Sequence, residues 1–123
     1  MSKKILIFED DKSLTELIRY YLEEEGYETK ISLSMDNCFE KIIQYQPDLI
    51  TIDFCFKNSD GLLILEALKK DMQFQSIPIV LITGAEFSPL MVEGIGAAGY
   101  ITKPFDENKI KMVINSILLG AKS

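Results

Sequence analysis

Residues 49–56 read LITIDFCF, and the reading of Asp53 within them decides the fold. The other seven are apolar or β-branched, the composition of a buried strand. An ionised carboxylate is costly to desolvate in such a setting, so a charge there calls for a reason.

Working outward, short apolar runs alternate with longer stretches of helical period. Upstream, ILIF (Ile5–Phe8) reads as a strand, and the chain then turns at Glu9-Asp10-Asp11. Leu14, Leu17, Ile18, Tyr21 and Leu22 follow at i, i+3, i+4, i+7 and i+8, an amphipathic helix ended by Gly26. Tyr27, Thr29, Ile31 and Leu33 alternate as in an edge strand covered on one face. Met35, Cys38, Phe39, Ile42 and Ile43 repeat the helical spacing until Pro47. LITID follows as the third strand, then the polar turn KNSDG and a helix marked by Leu62, Leu65 and Leu68. IPIVLIT (Ile77–Thr83) is the fourth strand. SPLMVEGI suggests a short helix with Ser88 as N-cap and Pro89 at its first position. YIT (Tyr100–Thr102) is a brief fifth strand, and Ile110, Val113, Ile114, Ile117 and Leu118 line the last helix.

The pattern is (βα)5, an α/β fold with a doubly wound parallel sheet and helices on both faces. The near-continuous apolar strands agree, since central parallel strands are buried on both sides. With 123 residues the chain suits a single domain, residues 1–123, able to bury a core without disulfides or metal staples. A net charge of −6 and a pI near 4.6 argue against direct nucleic-acid binding and against anionic membrane surfaces. No apolar run approaches the ~18 residues of a membrane span, and the stretch after Lys3-Lys4 is too short for a signal peptide, which points to the cytoplasm. Cys38 and Cys55 form no CxxC pair or disulfide framework, and the lack of histidine argues against a zinc site. Both thiols read as reduced packing residues.

Ligands of such sheets bind at the carboxyl ends of the strands. The polar residues there are Glu9 and Asp10, Asp53, Thr83 and Lys103. If the first and third strands are neighbours, three carboxylates converge. Two carboxylates ~4 Å apart repel by roughly 4 kcal/mol at an effective dielectric of ~20, so alone the cluster must hold a shared proton. Mg²⁺ removes the problem by taking a few carboxylate oxygens while keeping waters and room for a phosphoryl oxygen. Lys103 adds a point charge and Thr83 a hydroxyl donor. An aspartate so surrounded is equipped to accept a phosphoryl group.

The ordered set ILIFEDD, PDLITIDFCFKNSDG, IPIVLITG and GYITKPF resembles the receiver domain of bacterial two-component response regulators over nearly the whole chain. The resemblance implies a flavodoxin-like strand order 2-1-3-4-5. It implies that Asp53 is the phosphoacceptor, that Glu9, Asp10, Asp53 and the backbone carbonyl of Cys55 hold Mg²⁺, and that Thr83 and Lys103 hold the phosphoryl group. It also implies that Tyr100 swings inward when Thr83 moves and that the Lys103–Pro104 bond is cis. The implied partners are a sensor histidine kinase or histidine phosphotransfer protein, and a downstream protein or output domain reached through the face of the fourth helix, fifth strand and last helix. The chain has no histidine, so the donor is another protein or a small phosphodonor. The product is a modified self, which makes the chain a switch rather than an enzyme in the turnover sense.

Each residue also has a plainer reading. Asp10 or Asp11 alone would serve as a helix cap, Thr83 as a strand terminus, Lys103 as a solvated lysine and Tyr100 as packing. The joint arrangement favours the receiver. It departs from the family at Glu9, where an aspartate is usual, at Lys57, where proline is frequent, and between Thr83 and Gly96, which is short for the family. Cys55 and Ala85 are small and uncharged, so neither orients an attacking water, and slow self-dephosphorylation is expected. The runner-up is a degenerate receiver that binds partners without being phosphorylated. A flavodoxin-like cofactor binder is disfavoured because EDDKS after the first strand is acidic and lacks glycine. The last helix ends near Leu119, leaving a stand-alone regulator or a portion of a longer chain as the expected contexts.

Overall fold

The computed structural model describes residues 2–53, 61–84, 94 and 96–119. Their elements run β1 (Lys4–Phe8), α1 (Lys12–Glu24), β2 (Glu28–Ser32), α2 (Cys38–Tyr45), β3 (Leu49–Asp53), α3 (Gly61–Lys70), β4 (Ile79–Thr83), β5 (Gly99–Thr102) and α4 (Glu107–Leu118). All strand pairs are parallel, in the order β2-β1-β3-β4-β5. The expected flavodoxin-like doubly wound sheet is therefore the observed one. Strands β1 and β3 are neighbours, with Phe8 opposite Ile52.

Period-two alternation divides the core between the two faces of this sheet. Leu6, Phe8, Ile50, Ile52, Ile79 and Leu81 pack with Cys38 and Ile42 of α2 and Leu65 and Leu68 of α3. Ile5, Ile7, Leu49, Val80, Ile82 and Ile101 pack instead with Ile18 and Leu22 of α1 and Ile110 and Ile114 of α4. Each fully buried Ile or Leu contributes about 1.5–3 kcal/mol relative to exposure. In β3, Thr51 and Asp53 follow Leu49 and so belong to the α1/α4 face. In β4, Thr83 follows Ile79 and Leu81 to the opposite face.

Local chemistry sets the ends of the elements. Asp11 caps α1, its Oδ1 accepting the Leu14 N–H at 3.1 Å. Asp106 does the same for α4, accepting from Lys109 N–H at 2.8 Å. Gly26 adopts φ +91 after α1, a conformation open to glycine and strained for side-chain residues. Helix α2 is shorter than its apolar spacing suggested: Met35 is buried but lies before it, and Asn37 precedes it at φ 57. It stops at Tyr45, with Gln46 left-handed, before Pro47 is reached.

Two strands also differ from their sequence readings. β4 begins at Ile79, two residues after Ile77, since Pro78 has no N–H for a ladder; its carbonyl still accepts from Ile50 N–H at 3.0 Å. At the end of β2, Ser32 is buried and Leu33 is 48% exposed, so the inward residue is polar. The suggested helix from Ser88 lies outside the described residues apart from Gly94, and so do Cys55, Lys57 and Ala85.

Candidate phosphoacceptor site

β1 and β3 deliver their final residues side by side at the carboxyl edge. Glu9 directly follows β1 and Asp53 closes β3; their residue exposures are 1% and 3%. Asp10, next in the turn, is half-buried. One carboxylate oxygen from each of Glu9, Asp10 and Asp53 lies within 4.8 Å of the others. Adjacency of β1 and β3 thus brings together the three acids that the sequence reading required.

Lys103 reaches this cluster from the residue after β5. Its Nζ donates to Asp53 Oδ2 at 3.1 Å and lies 3.4 Å from Glu9 Oε1. Its backbone N–H donates to the Thr83 carbonyl at 2.7 Å, extending the β4–β5 ladder to the edge. The Lys103–Pro104 peptide is cis. Thr83 is fully buried at the end of β4, opposite Thr102. Tyr100 is half-buried and packs against the cluster that contains Leu81, so Thr83 and Tyr100 share the α2/α3 face.

The electrostatics follow from burial. Desolvation, then the hydrogen bond shared with Asp53, pushes the Glu9 carboxyl up to about 8, against the opposing pull of the Asp11 amide and Lys103. The Asp11 N–H donates to Glu9 Oε2 at 3.1 Å. For Lys103, burial disfavours the ammonium, but the hydrogen bond to Asp53 and the charge of Glu9 outweigh it and hold the pKa above its ordinary value. Glu9 therefore holds a proton at neutral pH when no second cation is present.

The donor set suits Mg²⁺. One oxygen from each of three carboxylates converges on a common centre, and buried Glu9 Oε1, although 3.4 Å from Lys103 Nζ, accepts no hydrogen bond among the described residues. Hard oxygen donors converging in this way fit a small divalent cation that also retains water. Cys55, whose carbonyl the resemblance adds to this set, lies outside the described residues.

One contributor was not legible from the strand ends considered in the sequence, because the end of β2 was not among them. Ser32 accepts the Glu9 N–H on its carbonyl at 3.1 Å. The signal was a polar residue closing an otherwise alternating strand.

Comparison with known proteins bears on the family and the fold. The family model for the response regulator receiver domain matches residues 5–115. The chain is 31% identical over 120 residues to the alkaline phosphatase synthesis transcriptional regulatory protein PhoP of Bacillus subtilis, covering 96% of this chain and 49% of that protein. It is 28% identical over 120 residues to the phosphate regulon transcriptional regulatory protein PhoB of Klebsiella pneumoniae, covering 96% and 52%. The chain therefore spans about half the length of these curated relatives. Among solved structures, the N-terminal domain of the nisin resistance regulator NsrR superposes with a TM-score of 0.85 at 28% identity, covering 96% of this chain and 99% of that one. The chemotaxis regulator CheY4 of Vibrio cholerae has a TM-score of 0.85 at 23% identity, covering 96% and 100%, a likeness of fold.

Proposed function

The chain belongs to the response regulator receiver domain family, and on that premise we propose that it is a phosphorylation-controlled switch with Asp53 as phosphoacceptor. One observation carries the reading: a carboxylate in an apolar strand, 3% exposed, has an ammonium at 3.1 Å and two further carboxylates beside it. Packing alone gives no reason to gather these charges, whereas phosphoryl transfer uses all of them.

The donor is a phosphohistidine on a sensor kinase or phosphotransfer protein. Asp53 Oδ attacks phosphorus, an O–P bond forms, and the P–N bond breaks with its electron pair returning to the imidazole. Lys103 neutralises the equatorial oxygens as charge spreads over them, and Thr83 supplies a hydroxyl donor. Mg²⁺, held by Glu9, Asp10 and Asp53 with the Cys55 carbonyl, would supply further charge neutralisation at those oxygens. Burial of Glu9 and Asp53 keeps the carboxylates oriented and limits the water that competes for the phosphoryl group.

The signal leaves through β5 and α4. A phosphoryl group drawing on Thr83 changes the space behind it, and Tyr100, on the same face, moves to fill it. A downstream protein or an output domain reads the resulting surface in the cytoplasm. The product is the modified chain itself, so the role is that of a switch rather than a turnover enzyme.

Intact mass after incubation with Mg²⁺ and acetyl phosphate tests the reading. A gain of one phosphoryl mass in the native chain, absent in Asp53→Asn, is the expected result. An equal gain in the variant would move the acceptor elsewhere, and no gain with either acetyl phosphate or a phosphorylated kinase would remove the switch.

A further inference from the structure

Of the two buried carboxylates, Asp53 closes a central strand, β3, and lies opposite Ile82 in the ladder with β4. Glu9 is placed differently. It is one residue beyond β1, and its backbone N–H is held by the Ser32 carbonyl of β2 at 3.1 Å. β2 is an edge strand with a single neighbour, and strand ends of that kind fray readily. Ser32 is paired with β1 opposite Phe8 but has no strand on its outer side, so a tie on that side helps to keep Glu9 aimed at Asp10 and Asp53.

Lys41, in the second turn of α2, reaches back to this point. Its Nζ donates to Ser32 Oγ at 2.7 Å and to the Ser34 carbonyl at 3.3 Å. Ser32 Oγ in turn donates to the Ser34 carbonyl at 2.6 Å, and Ser34 Oγ accepts the Asp36 N–H at 2.8 Å. The turn from β2 to α2 is thereby closed around one ammonium. Among the described residues, Lys41 forms no salt bridge and donates instead to these neutral oxygens. An exposed, freely solvated lysine has no need of them; a half-buried one aimed at a strand end does.

We infer that Lys41 is a positioning residue for the phosphoacceptor site: by pinning Ser32 it fixes Glu9 and so the geometry of the three-carboxylate cluster. The inference rests on the proposed cation-dependent phosphorylation, yet acts through a hydrogen bond that can be followed separately. Hydrogen bonds of this supporting kind typically change metal affinity by about 10–100-fold when removed.

The test combines Mg²⁺ titration with amide exchange by NMR on the whole chain. Lys41→Met keeps the aliphatic stem and removes the ammonium. The expected result is an Mg²⁺ Kd raised roughly 10-fold, faster exchange at the Glu9 amide, and unchanged protection at Ile50 and Thr51 in β3. Lys41→Arg, which can still donate to the same oxygens, restores both. Ser32→Ala gives a second route to the same loss should Lys41→Met fold poorly. Unchanged Glu9 exchange and Mg²⁺ affinity in Lys41→Met would overturn the inference, and so would protection lost evenly across β1, β3 and β4. A native chain that binds no Mg²⁺ would instead defeat the cation-dependent reading of the site, and the Glu9 amide would then decide the role of Lys41 alone.

Discussion

Two lysines in this protein each face several carboxylates, and the surroundings make them different devices. Lys103 sits between Glu9 and Asp53, whose side chains are 2% and 3% exposed. Lys111, on α4, sits 3.1 Å from Glu24 and 3.5 Å from Glu25 at the end of α1, and also contacts Glu107. There the partners are 32–44% exposed. Around Lys103, desolvation dominates and pushes an acid up; around Lys111, the hydrogen bond to the lysine dominates and holds the Glu24 carboxyl below its ordinary value. The solvated cluster satisfies itself. The buried one gathers carboxylates where water screens them least, a setting that suits a hard cation, whereas the solvated one ties α4 to the end of α1.

The comparison can be broken at its most demanding point first. Asp53→Asn is expected to abolish phosphoryl incorporation, read by intact mass. Next, Lys103→Met is expected to slow phosphorylation by acetyl phosphate about 10²-fold at saturating Mg²⁺, the scale for losing one donor to developing charge. It should leave the chain folded, because Glu9 already holds a proton at neutral pH in the absence of a second cation. Near-normal rates in this variant would make Lys103 a structural partner only.

A third effect concerns pH. The folded chain holds a proton on Glu9 between about 4.5 and 8, where the unfolded chain has lost it. Folded protein therefore binds more protons in that window, and stability falls as pH rises through it. In Mg²⁺-free buffer, the unfolding free energy from denaturant titrations should decline from pH 5 toward pH 8 by at most a few kcal/mol, and Glu9→Gln should flatten the slope. Added Mg²⁺ should oppose the decline, since it binds the deprotonated acids. A midpoint rising over the same range would contradict the raised Glu9 pKa.

The smallest change is expected at the exposed cluster. Lys111→Met should shift the denaturation midpoint less than any of these substitutions, and the shift should shrink between low salt and about 0.5 M, where screening is strong. A large, salt-independent loss would mean that α1 and α4 depend on that lysine far more than the exposure of its partners implies. Tyr27 and Asn115 hydrogen-bond to each other, and Asn115 Nδ2 donates to Glu25 at 2.9 Å, so the interface has other ties.

Much of the molecule was legible before folding. Apolar runs such as LITI and IVLI mark buried parallel strands because both faces are covered, and the helical spacing of Ile110, Val113, Ile114 and Ile117 marks a packed helix. Asp53 announced itself as an acid in a strand. Boundaries were less legible where backbone geometry intervened, as at Pro78 and at left-handed Asn37 and Gln46. The roles of Ser32 and Lys41 were hidden, because each is an ordinary polar residue until edge-strand pairing places Ser32 beside Glu9.

The sequence by itself determined the alternation of strands and helices, the polar residues at the strand ends and the absence of histidine, since period, composition and residue type are properties of the chain. The tertiary structure alone decided that Glu9, Asp10 and Asp53 come within 4.8 Å, that Lys103 answers the buried carboxylates while Lys111 answers exposed ones, and that Glu9 keeps a proton. The physical reason is that charge interactions depend on distance and solvent, and neither exists until strand order and burial have been set.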